Sequence, residues 1–150
     1  MKRNRLLRAA LICLLPVLSA AAQEKGYWHA ASKTAKGVTG DLSFTASKLT
    51  INFSTFTIAQ IRTLDPTEAQ ALFAADPGGQ GNLYRLDISG DKRFLHKNTL
   101  CGTEDTQWAI TYVAGRSMQL AFFSGPSIPT LTPDAITSSA RLCGIYGYNR

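Results

Sequence analysis

From residue 40 onward, apolar and polar side chains alternate with a period of two. Leu42, Phe44 and Ala46 alternate with Ser43, Thr45 and Ser47. After a turn around Ser47-Lys48, Leu49, Ile51 and Phe53 alternate with Thr50, Asn52 and Ser54. Successive side chains of a strand point to opposite faces, so this pattern predicts a half-buried antiparallel hairpin. Phe56 and Ile58 carry the signal into a third strand that runs to about Arg62. Tyr84, Leu86 and Ile88 then share one face, opposite Arg85 and Asp87. The strongest hairpin follows: Trp108, Ile110 and Tyr112 alternate with Gln107, Ala109 and Thr111, and a turn at Ala114-Gly115-Arg116 leads into Met118, Leu120 and Phe122. Gly115 supplies the positive φ that such a turn can need. Residues 142–148 read as a last strand.

One stretch has helical spacing instead. Asp65 is a natural N-cap, Pro66 suits the first helical position and Glu68 stands at the capping-box position. Ala69, Leu72 and Phe73 fall on one stripe, and Pro77-Gly78-Gly79 stops the helix. So short a helix covers a sheet edge or a barrel end. The expected fold is mainly β: a small antiparallel meander closed into a barrel or folded into a sandwich, with one short helix.

Residues 1–22 have the pattern of a cleavable signal peptide. Lys2, Arg3, Arg5 and Arg8 form a basic start, residues 9–18 are apolar, and Ser19-Ala20-Ala21-Ala22 offers small side chains for cleavage before Gln23. The apolar run is too short for a membrane anchor and is interrupted by Pro16. The expected location is periplasmic or secreted, with residues 23–150 forming a single β domain without a transmembrane segment. Residues 23–38 are polar and alanine-rich and are expected to be loosely ordered until Tyr27 and Trp28 dock.

Removing that address changes the charge. The chain has 16 basic and 10 acidic residues, but four of the basic ones lie in the signal segment. Twelve basic against ten acidic residues leave a formal charge of +2, which weakens a nucleic-acid reading based on the pI of about 9.5. Nucleic acid is therefore not an expected partner.

Of three cysteines, Cys13 leaves with the signal. Cys101 and Cys143 remain, and an even pair in an exported chain predicts one disulfide. A zinc site using both thiolates and His96 lacks a C-x-x-C pair and a second clustered ligand. No metal or cofactor is expected.

Catalytic signals are weak. There is no G-x-S-x-G elbow, and the two histidines, His29 and His96, read as structural or solvated. Glu104 and Asp105 are loop neighbours, expected to be solvated or at most to touch calcium weakly. Gly78-Gly79-Gln80-Gly81 lies between helix and strand, the reverse of a phosphate-binding loop. No catalytic residue is assigned. Two features suit binding better: the polar-tipped aromatics Tyr27, Trp28, Trp108, Tyr146 and Tyr148, and the basic loop over residues 91–100. Trp28, Arg93, His96 and Lys97 are the candidate binding surface.

Thr34-Ala35, Val38-Thr39-Gly40-Asp41-Leu42, Leu83-Tyr84-Arg85, Asn98-Thr99-Leu100-Cys101-Gly102 and Cys143-Gly144-x-Tyr146-x-Tyr148 together resemble a group of small exported proteobacterial proteins of uncharacterised activity. That resemblance implies a fold and a compartment and transfers no functional residue. The expected function is binding of a protein, glycan or envelope component. The alternatives are a hydrolase whose site the sequence does not reveal, with His96 beside a carboxylate as its best signature, and a lipocalin-like binder of a small ligand.

Overall fold

The computed structural model describes residues 24–150. The proposed signal peptide and its cleavage site before Gln23 lie outside the described residues. The described chain is mainly β, nine antiparallel strands in one continuous sheet. They are β1 Gly26–Ala30, β2 Leu42–Phe44, β3 Lys48–Ile51, β4 Ser54–Thr57, β5 Ala59–Thr63, β6 Gln80–Ile88, β7 Thr106–Ala114, β8 Ser117–Ser124 and β9 Leu142–Asn149. Their order across the sheet is β4-β3-β2-β1-β9-β8-β7-β6-β5.

The sheet is open. The expected barrel is corrected on that point: β4 and β5 are consecutive in the chain, yet they form the two opposite edges rather than a closing pair. The single strand expected from Phe56 to about Arg62 is likewise two strands, broken at buried Ile58. The two edges end in different ways. β4 is only four residues long, and β5 carries a register shift between Gln60 and Arg62 that leaves Ile61 out of the pairing. Short and bulged edges resist pairing with other chains.

Strong curl lets the sheet pack against itself. Trp28 of β1, Leu42 and Phe44 of β2, and Leu49 and Ile51 of β3 share one apolar cluster with Tyr84, Leu86 and Ile88 of β6, Phe122 of β8 and Tyr148 of β9. Large side chains therefore fill the concave interior, where a lipocalin-like reading would place a ligand. On the outer face of β6–β9 lies a second cluster, in which Leu83, Trp108, Ile110 and Phe123 pack under Ala69, Leu72 and Phe73 of α1 (Pro66–Phe73). Thus β7 is buried on both faces, and β1–β4 have no comparable outer layer.

Local signals place α1 where they predicted it. The Asp65 N–H donates to Glu68 Oε2 at 3.0 Å, Pro66 occupies the first turn, and Arg62 holds Glu68 through Nη1 and Nη2 at 2.6 and 2.7 Å. A second helix, α2 (Pro133–Thr137), is capped by Thr132, whose hydroxyl accepts from Ala135 N. Gly115, φ 58°, makes the β7–β8 turn as expected.

Within residues 24–38 Trp28 is docked, and the chain around it has a defined place in the sheet. β1 is an interior strand of the sheet, paired with β2 on one side and β9 on the other. Trp28 is 0% exposed, and its Nε1 donates to the Glu24 carbonyl at 2.8 Å. A π-helical turn, Ala35–Thr39, follows, and the Thr39 hydroxyl lies 2.6 Å from the buried Tyr148 hydroxyl.

Cys101 and Cys143 form the predicted disulfide, with Cα atoms 4.9 Å apart. It ties the start of β9 to the segment between β6 and β7, which folds over that end of the interior. Phe94 and Leu100 of this segment enter the core. Gly90 permits its close closure: a Cβ there would fall 2.2 Å from the Thr103 carbonyl oxygen, and the Gly90 N–H donates to Asp105 at 2.9 Å. Among the described residues no helix is long and apolar enough to cross a membrane.

Candidate binding face

The outer face of β1–β4 is where sequence and structure part most sharply. In β1, Trp28 points into the core, so its neighbours Tyr27 and His29 point out. The register pairs Tyr27 with Ser43, and Thr50 lies opposite Ser43 on the next strand. One outward-facing row therefore carries a phenol and two half-buried hydroxyls.

Asp41, immediately before β2, organises this row. Its Oδ1 accepts from the Ala30 N–H at 2.8 Å. Its Oδ2 accepts from the Tyr27 hydroxyl at 3.0 Å and stands 3.1 Å from His29 Nδ1. The Ala30 N–H above all, helped by His29 and Tyr27, holds the Asp41 carboxyl below its ordinary pKa. Chiefly through its hydrogen bond to Asp41, the Tyr27 phenol is pushed above its own. The Tyr27 and His29 rings meet edge-on at 5.1 Å.

Phe53 stands at the tip of the β3–β4 hairpin. Ile51 pairs with Ser54, leaving Asn52 and Phe53 as a two-residue turn with φ of 45° and 65°. Positive φ at both central positions is what a type I′ turn requires, and glycine is its usual second residue. A bulky side chain there is strained. Phe53 was expected in the apolar alternation of a strand; instead it is 98% exposed. Between it and Tyr27 lies a recess of about 250 Å³, completed by Asp41, Leu42, Ser43, Thr50 and Asn52.

The candidate surface named from sequence divides. Trp28 is buried and does not belong to it. Arg93, His96 and Lys97 are exposed on the segment capping the interior. That segment is not a free loop: His96 Nδ1 and Asn98 Nδ2 meet the Gly37 carbonyl at 3.1 and 3.0 Å, which docks it on the Ala35–Thr39 turn and brings exposed Lys36 alongside. His96 and Lys97 both have positive φ, 54° and 62°. Trp108, Tyr146 and Tyr148, the other aromatics considered for recognition, are buried; Tyr27 alone of that set is exposed, at 56%.

His96 meets a carbonyl and not the carboxylate that a hydrolase reading asks of it. The histidine beside a carboxylate is His29, and among the described residues no hydroxyl or thiol is hydrogen-bonded to it. A nucleophile is what that pair lacks. Among the described residues no group of three or more His, Cys, Asp or Glu side chains is arranged to hold a metal ion.

A further polar cluster is internal. Glu24 is 2% exposed; its Oε1 accepts from Asn82 Nδ2 at 2.9 Å and from the Thr111 hydroxyl, and its Oε2 accepts from Tyr84. Burial above all pushes the Tyr84 phenol far above its ordinary value, with the Glu24 charge adding to it. This cluster anchors the start of β1 and offers no opening to a ligand.

Sequence reasoning missed Asp41 and Phe53. Asp41 lies 11 to 14 residues from its partners, and Phe53 fitted a strand pattern. The signal available was an apolar ring beside Asn52 midway between two alternating runs. A scan against protein-family models finds no match, and searches of the curated proteins and of the solved structures find none either.

Proposed function

We propose that this is an exported protein that acts by binding, and that it meets its ligand in the periplasm or outside the cell through the Tyr27–Phe53 face. The observation that carries the reading is Phe53: a large apolar ring held almost wholly in solvent, on a backbone conformation that disfavours it, beside a recess. Exposed aromatics and locally strained residues concentrate where proteins recognise other molecules. The disulfide fits export, because such bonds persist in oxidising compartments. Arg93, His96 and Lys97 of the capping segment, with Lys36 of the turn it docks on, form a second, basic surface suited to an anionic region of the same partner.

Retention of envelope components by the immobilised protein tests this. Wild type and an Ile128→Ser variant, altered at an exposed residue away from the recess, should retain a component that Phe53→Ala and Tyr27→Ala lose. Equal retention by all four proteins defeats the reading. N-terminal sequencing of protein recovered outside the cytoplasm should begin at Gln23, and an intact Met1 would refute the export step.

A further inference from the structure

We propose that the recess between Tyr27 and Phe53 takes one ring of a neutral, hydroxyl-rich glycan chain. This rests on the binding reading above and names its ligand class.

Size comes first. At about 250 Å³ the recess lies below the roughly 300–1,000 Å³ of sites that enclose a whole drug-sized ligand. It holds a single ring, and because it lies on an exposed sheet face, a chain can continue out of it in both directions.

Charge narrows the chemistry. Among the described residues no lysine or arginine lines the recess, and the one ionised group there is the Asp41 carboxylate. Phosphate, sulfate and uronate groups are disfavoured there. A cationic side chain would be attracted, but the hydrogen-bonding pattern argues against it. A carboxylate has about four lone-pair sites, and Ala30, Tyr27 and His29 already face Asp41, which leaves about one. A guanidinium fork wants two parallel acceptors. One remaining acceptor suits one hydroxyl.

Ser43 and Asn52 settle the preference. Among the described residues neither side chain makes a hydrogen bond. A serine hydroxyl and a carboxamide both donate and accept, so they match hydroxyls, which do the same. Ammonium and guanidinium groups only donate and would leave the Asn52 amide hydrogens unmatched. Phe53 supplies the remaining element: an exposed ring whose electron-rich face suits the C–H face of a sugar.

The experiment is a titration of the purified protein, followed by amide chemical shifts and calorimetry, with cellotetraose, maltotetraose and chitotetraose, and with a tetralysine peptide as the cationic arm. At least one neutral tetrasaccharide should bind with a Kd of about 1 mM or tighter, shifting the amides of Ser43, Thr50 and Asn52. Raising salt from about 50 to about 500 mM should leave that affinity unchanged. Phe53→Ala and Ser43→Ala, neither of which removes a core contact, should each weaken binding by about tenfold. Asp41→Asn should weaken it similarly when measured well below that variant's own thermal transition. Absence of binding by all three sugars at about 10 mM, with envelope retention still dependent on Phe53, overturns the glycan assignment and leaves the binding reading standing. Salt-sensitive binding of tetralysine in place of the sugars assigns the recess to a cationic partner and overturns it too. Failure of both the sugars and the Phe53-dependent retention removes the site altogether.

Discussion

The guanidinium carbon of Arg150 lies 4.0 Å from the centre of the Trp28 ring, and Trp28 is wholly buried. A cation over an indole face is attracted to the ring quadrupole, and here it also lies over the strand that joins the two halves of the sheet. Arg150 is held there by its N–H to the Arg116 carbonyl at 3.0 Å and by Arg116 Nε donating back at 2.9 Å.

Arg150→Ala should therefore lower stability by about 0.5–2 kcal/mol. It should also admit water to Trp28, shifting tryptophan emission to longer wavelength in the folded state. Denaturant titration with fluorescence detection measures both. An unchanged midpoint with unchanged emission would show that Arg150 contributes nothing to the burial of Trp28.

Cys143→Ser should cost about 2–4 kcal/mol, because the bond closes a loop of 42 residues. The loss should appear as lower protection from amide exchange in the capping segment, where Phe94 and Leu100 join the interior. Free Cys101 and Cys143 thiols on reagent titration of the native protein would sink the claim that the bond forms.

How much was legible follows the range of the interactions. α1 could be read residue by residue, since Asp65, Pro66 and Glu68 act within one turn and Ala69, Leu72 and Phe73 lie on one stripe. The disulfide could be read because the expected removal of Cys13 with the signal segment leaves Cys101 and Cys143 as the one pairing. Strand existence was legible from alternation, but strand neighbours were not. The apolar spacing of Phe56 and Ile58 runs on unbroken, while pairing sends β4 and β5 to opposite edges. The recess was hidden for the same reason: Asp41 acts on Tyr27, His29 and Ala30 only once β1 and β2 are side by side. Lys97 and its neighbours were visible as charge, but their docking on Gly37 was not.

Glu24→Ala should destabilise by on the order of 3 kcal/mol, because the Asn82, Tyr84 and Thr111 donors would lose a shared buried acceptor. Glu24→Gln keeps the shape and one acceptor oxygen and should cost clearly less. Thermal unfolding of the two variants decides it. Equal costs would mean that the side chain acts by volume and not by accepting those bonds.

Acid sensitivity should follow Glu68 and Asp41. The Arg62 guanidinium holds the Glu68 carboxyl below its ordinary value of 4.5, and the Ala30 N–H is the main cause of the lowering of Asp41 from 3.8. A depressed folded pKa stabilises fully above the ordinary value, and the contribution is lost as pH falls through the folded one. The Tm difference between wild type and Glu68→Gln should be largest near neutrality and shrink below about pH 4.5. Asp41→Asn should behave the same way, with the decline beginning below about pH 4. A difference that stays constant down to pH 2 would contradict both assignments.

Phe53→Gly should stabilise the protein while weakening recognition. Glycine after Asn52 makes the pair that type I′ turns favour, and it removes the strain of a bulky side chain at φ 65°. Phe53 is 98% exposed, so little buried contact is lost with its ring. The expected gain is about 1 kcal/mol, the lower end of the cost of a non-glycine residue in this region. Phe53→Ala keeps the unfavourable backbone and should gain much less, so the two variants separate backbone strain from side-chain exposure. Both should hold the ligand more weakly than the wild type. Equilibrium denaturation gives the first quantity and the envelope-retention assay gives the second. A destabilised Phe53→Gly protein would mean that the ring contributes to folding, which would remove the argument that it is kept at the hairpin tip for binding.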